Sequence, residues 1–163
     1  MRKNMIFYIL LCCSLPYVAN AQGNVKNDNV LYIVDGTPVN KASINTNEVL
    51  IRQTLPGNRV NFERDFDSII VIVTKKSAIV QYQKKLSAFS KKYKDYLSAN
   101  QNSDADCGYV LDASFLWIKD SVNMIKRLYD VPDKKIKKVV FEENSFYNGG
   151  VSKKYNMFIT TKK

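Results

Sequence analysis

The sequence predicts an α+β fold: a small mixed β-sheet drawn from two related halves that an amphipathic helix joins. Three observations predict it. Short β-branched runs bounded by turn residues occupy the first and last thirds of the 163-residue chain, the pattern of strands. The second set repeats the first: Val49 to Lys76 and Ile136 to Lys163 are separated by one offset of 87 residues, and both close on Thr-Lys-Lys. Between the sets, Ile79, Tyr82, Leu86, Phe89, Tyr93 and Tyr96 recur at intervals of three or four, an apolar stripe of helical period.

An address precedes the first strand. Arg2 and Lys3 open the chain, residues 6–18 are almost wholly apolar, and Ala19-Asn20-Ala21 sets small residues before Gln22. These are the three parts of a secretory signal peptide, and the apolar run is shorter than the roughly 20 residues that span a bilayer. Cleavage after Ala21 leaves 142 residues and removes Cys12 and Cys13. The alternative is acylation at Cys12, which Leu11 disfavours by standing where a small residue is needed. The expected organisation is a signal peptide at 1–21 and a single domain at 22–163, with half-copies at 31–76 and 109–163 and the linking helix at 77–99.

Each element has its own signal. Residues 31–34 are a strand stopped by Asp35, Gly36 and Pro38, read as a structural turn. Residues 49–54 form a second strand, Pro56-Gly57 a turn, and 58–66 one or two helical turns. The continuous run 69–73 suits a central strand buried on both faces. In the second copy, 109–112 repeats the opening strand, 137–142 forms the next strand, and Met157-Phe158-Ile159 marks the closing strand. The opening strands are offset by 77 residues rather than 87, so the second copy carries about ten extra residues before its next strand. A helix over 114–130 holds them, with Phe115, Ile118, Val122, Ile125 and Tyr129 at helical spacing. Residues 144–148 read as a short polar-aromatic turn or helix before Gly149-Gly150, and 100–108 as a polar connector.

The run from Leu31 through Asp35-Gly36-Thr37-Pro38 to Val39 resembles the opening of the plug domain of TonB-dependent outer-membrane receptors of the Bacteroidetes type. Ile44-Asn45-Thr46-Asn47-Glu48-Val49 is similar to that family's next step, and the endings at 69–76 and 157–163 are similar to its closing strand. The matches cover about two thirds of the mature chain as two half-matches. Departures are clear: Asp112-Ala113 replaces Asp-Gly in the second copy, and the family's alanine-rich helix gives way to 58–66. No series of alternating strands for a membrane barrel is present. The resemblance therefore implies a free-standing, barrel-less, exported relative of the plug fold.

Composition bounds the chemistry. The chain has no histidine, which excludes Ser-His-Asp and Cys-His catalysis and imidazole zinc sites. Asp35 and Asp112 end equivalent strands, where aspartate serves a turn. Asn102-Ser103-Asp104-Ala105-Asp106 begins like a calcium loop. Its glycine falls one place late, at 108, and Ala113 stands where a bidentate Glu is required. Gly149-Gly150 lacks the context of a phosphate loop. No enzyme, metal site or cofactor is expected, and a hydrolase using Ser, Lys or carboxylate chemistry finds no legible nucleophile-base pair. Cys107, alone after processing, is expected to be buried.

Signal removal lowers 25 basic residues to 23 and the net charge from +10 to +8. The linking helix concentrates this charge in Lys84, Lys85, Lys91, Lys92 and Lys94, which are either a solvated face or a contact for polyanions. The expected function is a non-enzymatic interaction module of the cell envelope, periplasmic, outer-membrane-associated or extracellular, beside an envelope or outer-membrane protein. The alternative is a binder of glycan, lipopolysaccharide, nucleic acid or lipid headgroups through the lysine face.

Overall fold

The computed structural model describes residues 29–57, 66–116, 120–144, 146–148 and 151–162. The expected signal peptide at 1–21, the helical turns expected over 58–66 except for Phe66, and the Gly149-Gly150 break lie outside the described residues. The chain divides between Thr74 and Lys75 into two compact units.

The first unit is a four-stranded mixed sheet in the order β2-β1-β4-β3. Its strands are β1 (Val30–Val34), β2 (Thr37–Val39), β3 (Val49–Pro56) and β4 (Ser68–Thr74). β1 runs parallel to β4, while β2 and β3 flank the pair in antiparallel sense. The run at 69–73 therefore lies centrally, as its unbroken β-branched composition requires. Tyr32, Ile70 and Ile72 form the buried cluster on one face, with Val30, Val34, Val39, Ile44 and Val49 against them. Pro38 sits within the edge strand β2 rather than in the turn. An edge tolerates proline because one side of the strand needs no N–H donor.

The second unit repeats the topology as β6-β5-β10-β7. Its strands are β5 (Cys107–Leu111), β6 (Ser114–Leu116), β7 (Ile136–Glu142) and β10 (Tyr155–Thr161). Again the first and last strands are parallel and two antiparallel strands flank them. The likeness extends to register. Val49 lies opposite Thr74 and Ile51 opposite Val73, leaving Leu50 as an extra residue. Ile136 lies opposite Thr161 and Lys138 opposite Thr160, leaving Lys137 in the same place. A 3-10 turn precedes each bulged strand, at Thr46–Glu48 and at Asp133–Lys135. Bulge, turn and pairing all keep the offset of 87 residues. Each half builds its own sheet, and the two halves are alike.

Among the described residues, three α-helices belong to the second unit: α1 (Lys75–Phe89), α2 (Lys91–Ala99) and α3 (Ser121–Asp130). The helix expected over 77–99 starts two residues earlier and is broken at Ser90. There the backbone is extended (φ −137°, ψ 104°), and the serine hydroxyl accepts from the Tyr93 N–H as an N-cap. Serine at this position supplies the acceptor that the first turn of a new helix lacks. Ala78, Tyr82, Leu86, Tyr93 and Leu97 are buried, whereas Phe89 at the break remains exposed. The helix expected over 114–130 is shorter. Ser114–Leu116 is instead β6, paired with β5, and α3 begins after Asp120, whose carboxylate caps Asn123 N–H. The segment 144–148 contributes β8 (Phe146–Asn148), paired with β9 (Val151–Lys153), in place of a helical turn.

Candidate functional site

Two aspartates that sequence reading sets apart as turn residues do more than turn the chain. Asp35 and Gly36 have φ of 51° and 85°, and Asp112 and Ala113 of 47° and 65°. Each pair forms a two-residue hairpin loop with both residues left-handed, the geometry that matches strand twist. The Asp35 N–H donates to the Ile72 carbonyl at 2.9 Å. Its carboxylate accepts the Thr74 N–H at 2.8 Å and the Thr74 hydroxyl at 2.7 Å. Asp112 repeats this with the Ile159 carbonyl at 2.9 Å and with the Thr161 N–H and hydroxyl, both at 2.7 Å. The shared Thr-Lys-Lys ending is thus half of a clasp that ties the hairpin to the end of the central strand. The hydroxyl and N–H of Thr161 hold the Asp112 carboxyl below the usual carboxylate range.

A second constellation lies in the second unit. Tyr82 of α1 donates to Asp104 Oδ2 at 2.6 Å, Tyr109 of β5 at 2.5 Å and Tyr93 of α2 at 3.3 Å. The Tyr93 and Tyr109 hydroxyls lie 3.1 Å apart. All three rings are buried to 2% exposure or less, so their hydroxyls need internal acceptors. Burial pushes all three phenols above their ordinary value. The negative charge of Asp104 adds to this in each, and the neighbouring phenols add to it in Tyr109. Cys107 is buried beside them, and burial pushes its thiol up to about 12. The cluster joins two helices, the connector and β5 through one carboxylate oxygen. It holds its phenols and thiol protonated, which makes it a cross-link.

Asp104 is the residue that sequence reading missed. It belongs to the connector at 100–108, whose spacing suggests only an incomplete calcium loop. No group of three or more His, Cys, Asp or Glu suited to a metal is present among the described residues. The usable signal was the tyrosines: Tyr82 and Tyr93 on the apolar stripe and Tyr109 in a strand each carry a hydroxyl that burial obliges to find an acceptor.

The five lysines separate into two groups. Lys84, Lys91, Lys92 and Lys94 are exposed. Lys85 is not a free surface charge, its side chain being 11% exposed. Its ammonium donates to the carbonyls of Tyr129 at 2.8 Å and Val131 at 2.5 Å, more weakly to Leu128, and lies 3.8 Å from Asp133. It therefore satisfies carbonyls that the C-terminus of α3 leaves open, and desolvation lowers its pKa despite the aspartates nearby. No helix of the described residues is long and apolar enough to cross a membrane. No protein family, no curated protein and no solved structure matches the chain.

Proposed function

We propose that the chain is a non-enzymatic, exported interaction module of the cell envelope, working periplasmically or at the outer membrane beside an envelope protein. One observation carries this reading. The two aspartates at equivalent strand ends are each closed in a clasp with threonine, a use of the carboxylate that serves the fold. The plug-like motifs at 31–39, 44–49 and 69–76, with the signal-like residues 1–21, support the envelope setting. Because fold resemblance is weak support for function, the test is direct. Cross-linking in the native envelope, followed by affinity capture and mass spectrometry, is expected to return one envelope protein at near-equal amounts. Recovery of none in excess of a processed, unrelated exported control overturns the reading.

A second reading is favoured by the exposure of Lys84, Lys91, Lys92 and Lys94 on α1 and α2. These side chains suit a polyanion such as an anionic glycan, lipopolysaccharide or nucleic acid. Binding to heparin is expected to weaken steeply with added salt, as counterion release requires, and to weaken further when all four are changed to Gln. Salt-insensitive binding sinks it.

A further inference from the structure

The two halves act as controls for each other. Features that both carry are needed for the shared fold, and those that only one carries are available for something else. The clasp is common to both. Beside the second clasp lies an open depression of about 380 Å³, lined by Asp112 and Thr161 of the clasp, by Arg127 and Asp130 of α3, and by Lys135 and Lys162. α3 comes after the second hairpin, whereas the first hairpin leads into the 3-10 turn Lys41–Ser43. Lys135 occupies the position that Glu48 holds in the first copy, each being the last residue of the equivalent 3-10 turn. Neither Arg127 nor Lys135 is therefore demanded by the clasp.

We propose that this depression binds a small hydroxylated molecule carrying an oxyanion, a carboxylate or a phosphate. Arg127, Lys135 and Lys162 supply three cations, and among the described residues none is held in an ion pair. Both oxygens of Asp112 already accept from Thr161, so that carboxylate competes less for the cations. Asp130 and the lip at Val131 and Pro132 complete the lining, giving an acceptor for hydroxyls and an apolar edge for a ring. The volume falls within the range of small-ligand sites and suits a single sugar-sized molecule. Guanidinium and ammonium groups favour oxyanions through charge-assisted hydrogen bonds. This inference does not depend on the interaction-module reading.

The test titrates the full chain with glucuronate, glucose 6-phosphate, inorganic phosphate and glucose, following amide shifts and heats of binding. Glucuronate or glucose 6-phosphate is expected to bind saturably and more tightly than phosphate, with glucose not binding. The stronger of the two acidic sugars identifies the oxyanion. Lys135→Glu, which copies the first half, and Arg127→Gln are each expected to weaken binding about tenfold, the scale of one charged hydrogen bond. Both side chains are exposed, and urea unfolding curves matching the parent verify that the fold is intact. Arg52→Gln and Lys76→Gln, at exposed cations outside the depression, are expected to change nothing. The proposal is overturned if neither acidic sugar saturates, if glucose binds equally well, or if binding survives both site substitutions.

Discussion

At the residue scale, the second hairpin departs from the first at one costly position. Ala113 sits at φ 65° where the first copy has Gly36 at φ 85°. A left-handed backbone costs an L-residue about 1–2 kcal/mol, and glycine gives back part of that gain through unfolded-chain entropy. Ala113→Gly is expected to stabilise the protein by roughly 0.5–1 kcal/mol, read as a higher urea midpoint. Asp112 makes a pH prediction. Its carboxyl is depressed by Thr161, so its stabilisation is complete above the unfolded carboxyl's value near 4. That stabilisation is lost as pH falls through the lower folded value. Asp112→Asn is therefore expected to lose less stability than the parent between pH 5 and 2, measured by urea unfolding at each pH. The tyrosine cluster sets a larger cost. Asp104→Ala strips the acceptor from three buried phenols and is expected to cost at least ~3 kcal/mol, against about 1–2 for Tyr82→Phe. Equal losses in denaturant unfolding would show that the carboxylate is not the hub.

At the element scale, the break between α1 and α2 rests on Ser90, whose hydroxyl receives the Tyr93 N–H. Ser90→Ala is expected to cost about 1 kcal/mol, and amide exchange in the first turn of α2 should rise while that of α1 stays unchanged. Such breaks explain which features the sequence disclosed and which it hid. The central strand at 69–73 was legible because an unbroken β-branched run has one comfortable home, between two other strands. The repeat was legible because Thr74 and Thr161 are fixed by the same clasp and so keep their spacing. The helix break was not, since Phe89 continues the apolar period straight across Ser90 and only the cap interrupts it. Phe115 likewise fits a helical stripe by spacing, yet β6 pairs with β5 across the two-residue loop Asp112-Ala113, a turn that lacks the glycine marking its counterpart at Asp35-Gly36. Lys85 looks like its exposed neighbours in sequence, which shows its charge but not the helix end of α3, some 45 residues away, that it caps.

At the scale of the whole molecule, one sheet design appears twice, with unequal burial among the described residues, and stability should follow that burial. Among the described residues, five buried apolar side chains fall in the first unit (Tyr32, Leu55, Ile69, Ile70 and Ile72) and sixteen in the second. Seven of the sixteen come from α1, α2 and α3, which place Ala78, Tyr82, Leu86, Tyr93, Leu97, Ile125 and Leu128 in the second core. Burial is the main favourable term in folding, and local opening follows its distribution. Amides of β1 and β4 are therefore expected to exchange through lower-energy openings than those of β5 and β10. Equivalent core residues give the sharper test. Ile70 and Met157 are related by the repeat offset, each opposite a tyrosine of the opening strand, Tyr32 and Tyr109. Both are buried, at 8% and 0% exposure. Truncation of either to Ala removes a packed side chain, a change that costs about 2–5 kcal/mol in well-packed cores. Met157→Ala is expected at the upper end and Ile70→Ala at the lower, because Met157 is the more completely buried of the two. Native-state hydrogen exchange locates each loss. If Ile70→Ala lowers protection in β1 and β4 alone, the halves open as separate units despite their common design. Equal loss throughout both sheets would instead mean that they unfold as one.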